Sequence, residues 1–207
     1  MGLAKDERAA LCDLFTEVGP DAPTLCAGWR TRDLAAHLVL RERRPDAAAG
    51  ILLSPIAGHT KRVQDGYAAR PWSELVGQVR SGPPPFWPTA IGAVDELINA
   101  TEFFVHHEDV RRASPDWQPR PADERRDRAL WTAVARSGRL ALRRSPVGLV
   151  LRSGEREVTA KRGPSTVIIS GEPGELLLFA FGRDEASVEF EGEQPAIGAV
   201  RGLRRGL

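Results

Sequence analysis

Apolar positions in the first two thirds of the chain recur at helical spacing. Over residues 3–18, Leu3, Ala10, Leu11, Leu14, Phe15 and Val18 form a stripe with a period of about 3.6 residues. Gly19-Pro20 predicts its end. Thr31 is placed to cap a second helix, with Asp33 in the first turn, where a carboxylate suits the helix dipole. Leu34, His37, Leu38 and Leu40 continue that helix, and Pro45 predicts a kink before residues 47–53. Ser73 opens a shorter helix to about Arg80, and the prolines of 83–88 predict a rigid connection. The strongest helical pattern covers 91–113. It closes at Ser114-Pro115, because the residue before proline avoids the α region. A last long helix is expected over 121–144, with Leu130, Trp131, Val134, Leu140 and Leu142 available for burial.

From Pro146 onward the pattern shortens. Residues 147–151, 157–160 and 166–170 read as strands separated by turns at Gly154 and Gly163-Pro164. Residues 175–181 form a compact apolar helix ending at Gly182, a candidate glycine of a helix C-terminus. A short strand over 187–191 and a final helix over 195–203 follow. Every tryptophan, histidine and cysteine precedes residue 132. The expectation is an α+β chain: a helical bundle over 1–144, joined without a long linker to a small α+β domain over 145–207.

The 207 residues suffice for an ordinary core, so neither a disulfide nor a structural metal is required for folding. With 29 Lys+Arg against 28 Asp+Glu, the formal charge of +1 provides no field to gather nucleic acid or anionic lipid. Cys12 and Cys26 lie outside any Cys-x-x-Cys pair, which fits a reduced, cytoplasmic setting. The amino-terminal residues lack the apolar stretch of a signal peptide, and no run approaches the ~18 apolar residues of a membrane span. There is no Walker loop, dinucleotide fingerprint or Gly-x-Ser-x-Gly elbow.

The candidate chemistry lies in the helix over 91–113. At about 100° per residue, Glu102 and His106 face the same way, four residues apart, beside a stripe of Val94, Leu97, Ile98, Thr101 and Val105. A carboxylate and an imidazole so placed can ligate one ion. His107 points ~140° away from Glu102 and is read as surface or as packing beside Phe103. For a third donor, His37 is the better candidate, because an imidazole within Leu34-Ala35-Ala36-His37-Leu38-Val39-Leu40 is costly to bury without a partner. His59, in an expected loop, is the weaker one. Without an ion, these residues read as a satisfied core histidine and a solvated helix face.

Two stretches resemble the DinB/mycothiol-dependent maleylpyruvate isomerase superfamily of metal-binding four-helix bundles. Residues Leu25-Cys26-Ala27-Gly28-Trp29-Arg30-Thr31-Arg32-Asp33-Leu34-Ala35-Ala36-His37-Leu38 resemble its Gly-Trp, Asp, His-Leu signature, and Glu102-Phe103-Phe104-Val105-His106 its Glu-x-x-x-His. The string Glu-Phe-Phe-Val-His-His-Glu-Asp-Val is similar to that of an uncharacterised actinobacterial branch. The resemblance implies a DinB-like four-helix bundle followed by a small sterol-carrier-like α+β domain. It also implies His37, Glu102 and His106 as ligands of Zn2+ or another divalent metal such as Ni2+. It further implies mycothiol or a similar low-molecular-weight thiol as co-substrate and a small-molecule substrate, in a thiol-dependent isomerase or transferase acting as monomer or homodimer. Arg183 is its candidate for a basic catalytic residue, although a cation closing a helix C-terminus reads equally well. Asp33 and Asp109 are candidate hydrogen-bond acceptors for the ligating imidazoles. A non-catalytic metal-binding or sensor protein and a metal-dependent hydrolase are the alternatives.

Overall fold

A computed structural model describes residues 2–51, 53–84 and 92–206, with Glu96 the only side chain described among residues 92–98. The connection expected over 83–88 lies outside these residues from 85 onward, as do residue 91 and the side chains of Val94, Leu97 and Ile98. The chain divides into two compact units, Met1–Gln118 and Pro119–Leu207. Described helices and a small four-stranded sheet make it an α+β protein. Among the described residues, no helix is long and apolar enough to cross a membrane.

The first unit holds α1 (Leu3–Val18), α2 (Thr31–Arg43), the short α3 (Pro45–Ala48), α4 (Ala57–Ala68), α5 (Trp72–Ser81) and α6 (Gly92–Arg111). At the start of α1, the Glu96 carboxylate on α6 accepts from the backbone N–H groups of Leu3 and Ala4 at 2.9 and 3.0 Å. These two donors have no partner within the helix, and the carboxylate also complements the helix dipole. Gly19 ends α1 at φ +79°, donating to the Phe15 carbonyl. In α2 the capping differs from expectation. Thr31 is the first helical residue and its hydroxyl donates to the Gly19 carbonyl, while the Asp33 carboxylate accepts from the Arg30 N–H. Pro45 breaks the helix instead of kinking it, with Arg44, the residue before proline, at φ −132° and ψ 76°.

Helix α4 falls where no helix was expected, because its inward positions include the polar Thr60 and Gln64 and it contains Gly58 and Gly66. Leu11, Cys12, Phe15, Leu34, Leu38, Leu75, Val79 and Phe103 fill the core between α1, α2, α5 and α6. Burial pushes the Cys12 thiol pKa up from 9.0 to about 11, against partial opposition from the charges of Arg80 and Arg8. The folded state therefore favours the neutral thiol. The associated stability is complete below pH 9.0 and disappears as pH rises through about 11. Urea unfolding at pH 8 and pH 11 should differ by about 2 kcal/mol from this group, and Cys12→Ala should flatten that part of the profile.

The second unit begins with α7 (Glu124–Ala141), whose N-cap Asp123 accepts from the Arg125 and Arg126 N–H groups. It packs on α8 (Pro173–Ala180) and on strand β2 (Arg156–Lys161). The boundary at 118/119 therefore precedes the change of sequence texture near 145, and the last long helix lies with the sheet. Leu140 on that helix is exposed. The sheet runs β2-β1-β3-β4, from β1 (Gly148–Ser153), β2 (Arg156–Lys161), β3 (Thr166–Ser170) and β4 (Glu189–Glu191). β1 pairs antiparallel with β2 and parallel with β3, placing Leu149 opposite Val167 and Leu151 opposite Ile169. All four are buried. Gly163 permits the turn into β3: a Cβ there would sit 2.4 Å from the Gly148 nitrogen. The chain closes with α9 (Gln194–Arg201), which packs on β3.

Candidate metal centre

The i,i+4 spacing on α6 sets Glu102 and His106 side by side, and α2 presents His37 to them. His37 Nε2 and His106 Nε2 donate to the same carboxylate oxygen, Glu102 Oε1, at 3.1 and 3.2 Å. One donor atom from each residue lies within 4.8 Å of the others. Both imidazoles are buried, and Glu102 is partly so. The His37 and His106 rings meet nearly edge to face, with centroids 5.4 Å apart, and the Trp29 indole lies 5.1 Å from His37.

These groups divide their protons unequally. Burial lowers the His37 pKa, although its bond to Glu102 acts in the opposite sense. Burial alone would do the same to His106. There, bonds to Asp109, Cys26 and Glu102 outweigh it and hold the pKa well above the usual imidazole range. Burial would raise the Glu102 pKa, but bonds from His106 and His37 and the charge of Arg41 together take it well below the carboxylate range. Without a bound ion, His106 is thus an imidazolium paired with a carboxylate, and His37 is neutral.

Around this triad lie side chains that local sequence spacing does not single out. His106 Nδ1 donates to Asp109 Oδ2 at 2.8 Å, as anticipated for one of the two outer carboxylates. Asp33, the other, serves the start of α2 instead. Cys26 Sγ donates to the same Asp109 oxygen at 3.2 Å. Its loop is held against α6 by a bond from the Leu25 N–H to the Asp109 carbonyl, and Thr24 Oγ1 both accepts from the Cys26 N–H and donates to the Trp29 carbonyl. Arg41 Nε lies 3.4 Å from Glu102 Oε1, and its guanidinium also donates to Asn99 Oδ1. Asn99 in turn donates to Glu42, which makes a two-bond pair with Arg8.

The remaining candidates stand elsewhere. His107 is not at the surface. It is buried and donates to Glu7 on α1 at 2.8 Å. His59 is helical, within α4, and pairs with Asp46 at 2.9 Å. Arg183 donates from its side chain to the Phe181 carbonyl just beyond α8. At the same end Gly182, at φ +89°, and Arg183 bond back to Phe179 and Leu178. A catalytic role for Arg183 rests on the resemblance alone.

Trp29 and His37 also form part of the wall of an open cleft of about 560 Å3, with Asp33, Thr60, Lys61 and Gln64 among its other residues. Concave spaces of this size suit small organic ligands.

No protein-family model matches the sequence, and no curated protein matches it. Solved structures do. A crystal structure of the mycothiol-dependent maleylpyruvate isomerase aligns with TM-score 0.63 and 15% identity, over 94% of this chain and 92% of that one. A histidine-to-alanine variant of that isomerase aligns with the same values. This chain has the fold of the mycothiol-dependent maleylpyruvate isomerase.

Proposed function

We propose that this protein binds a divalent metal ion through His37 Nε2, Glu102 Oε1 and His106 Nε2, and that it is an isomerase or transferase using a low-molecular-weight thiol of the mycothiol kind on a small molecule. The observation carrying the proposal is the convergence of two imidazole nitrogens on one carboxylate oxygen at 3.1 and 3.2 Å. Ligands about 2.1 Å from a tetrahedral ion are separated by ~3.4 Å, so these donors fit around one with small shifts. Two imidazoles and a carboxylate suit zinc, and also nickel, iron or manganese, and they leave at least one position for an exogenous ligand.

When bound, a divalent ion lowers the pKa of a coordinated thiol and supplies a thiolate at neutral pH. The protein's own groups do the positioning. Asp109 holds the His106 ring from Nδ1, which orients Nε2. Arg41 Nε approaches the same Glu102 oxygen, at 3.4 Å, and places a positive charge beside it. Trp29 and His37 give the centre an apolar and an imidazole wall on the cleft, where a thiol and a small substrate could meet.

Elemental analysis of protein purified without chelator should find about one divalent ion per chain, and His106→Ala should remove it. A screen for turnover then separates the classes of activity. Turnover that requires added thiol supports the proposal, whereas thiol-independent hydrolysis replaces it with zinc-bound water chemistry. Stoichiometric metal with no turnover for any thiol leaves a metal-binding protein without catalysis.

A further inference from the structure

The His106 ring has two faces to its chemistry, and the proposed function uses only Nε2. On the Nδ1 side lies a different donor set. Nδ1 is 2.8 Å from Asp109 Oδ2 and 3.9 Å from Cys26 Sγ, and the sulfur is 3.2 Å from the same oxygen. Asp109 is fully buried, His106 nearly so, and Cys26 is partly exposed. We infer that Cys26 Sγ, His106 Nδ1 and Asp109 Oδ2 constitute a second cation site, selective for thiophilic divalent ions such as zinc, cobalt or cadmium.

The geometry fits. With zinc–sulfur bonds of ~2.3 Å and zinc–nitrogen or zinc–oxygen bonds of ~2.1 Å, tetrahedral donors are about 3.4–3.6 Å apart. The three observed separations scatter around that value, and they belong to side chains whose backbones are already fixed. The bond from the Leu25 N–H to the Asp109 carbonyl ties the cysteine loop directly to the residue that supplies the oxygen. A thiolate ligand shifts preference toward softer ions than two imidazoles and a carboxylate select. Binding releases two protons to solvent, the thiol proton and the one His106 Nδ1 otherwise donates to Asp109, and the freed sulfur and Nδ1 lone pairs take the ion. A neutral imidazole has one lone pair, so an ion here is an alternative to one held through Nε2, not its companion. This site does not require the first to function.

Cobalt(II) titration of the protein, in buffer free of added thiol, tests the assignment. Glu102→Gln weakens the first site and isolates the second. That variant should develop a near-ultraviolet sulfur-to-cobalt charge-transfer band, and adding Cys26→Ser should abolish it. Serine keeps a hydrogen bond to Asp109, so loss of the band reports loss of ligation, not of folding. In the Glu102→Gln variant, cadmium should also slow alkylation of Cys26 in proportion to its occupancy. Absence of the band in Glu102→Gln, its persistence after Cys26→Ser is added, or alkylation indifferent to cadmium overturns the assignment. Visible cobalt absorption without a sulfur band would reject this site while leaving the His37–Glu102–His106 proposal intact.

Discussion

Arg8→Ala should destabilise the first unit by about 3–5 kcal/mol, the usual cost of leaving one partner of a buried ion pair behind. The guanidinium makes two bonds of 2.6 Å to the Glu42 carboxylate, a third of 3.1 Å to the Val79 carbonyl, and stacks 4.1 Å over the Phe103 ring. Both charged side chains are almost fully removed from water, at 8% and 3% exposure. At such depth the attraction between the pair is opposed by a large desolvation cost, so its net worth is small while its rupture is expensive. Alanine would strand the Glu42 charge with Asn99 as a remaining donor and would open a void against Phe103. Urea unfolding monitored through the tryptophans should measure the loss. The double variant Arg8→Met, Glu42→Leu should recover most of it, because two apolar side chains of similar volume leave no buried charge. If the double variant proves as unstable as Arg8→Ala, the pair contributes more than charge compensation.

Metal affinity should respond to substitution in graded steps. Asp109→Asn should weaken divalent-ion binding by roughly 10–100-fold, as loss of an outer carboxylate on a ligating imidazole does elsewhere. His37→Ala should weaken it further, since it deletes a proposed ligand and not merely the group orienting one. Competition against a chromogenic chelator reads both. Protons compete at the same place. His106 is held well above the usual imidazole range, so the ring must lose a proton before Nε2 can bind an ion. Below that raised pKa, affinity should fall about tenfold for each unit decrease in pH. Asp109→Asn removes one of the bonds that raise the pKa and should move the fall toward lower pH. An affinity independent of pH, or a weaker response to His37→Ala than to Asp109→Asn, would count against the assigned ligands.

What could be read from the chain follows the range of each interaction. Helix α1 and strand β3 were legible because their patterns lie within the element itself, a stripe at helical spacing in one and a short β-branched run between turn residues in the other. Glu102 and His106 were legible for the same reason, being neighbours along one helix. His37 stood out as an imidazole in an otherwise apolar run. Cys26 did not, because its meeting with Asp109 depends on a loop folded back onto α6 by a bond spanning residues 25 and 109. Arg41, Asn99 and the Glu7–His107 pair are likewise contacts between separate helices, with no local signature. Helix α4 was missed because polar residues and glycines obscure its inward face. For α7 the pattern gave an amphipathic helix, yet a stripe of apolar residues does not say which surface it covers.

The His106 ring is gripped at both nitrogens, by Asp109 on one edge and Glu102 on the other. Its rotation is arrested when α6 packs, and the entropy of ordering that side chain is spent during folding. An ion bound there as proposed would meet side chains already ordered, with a proton to displace and few rotations left to freeze. Zinc fingers, whose ligands come together only as the metal arrives, lie at the opposite extreme. Here a chelator should strip the ion and leave the architecture standing.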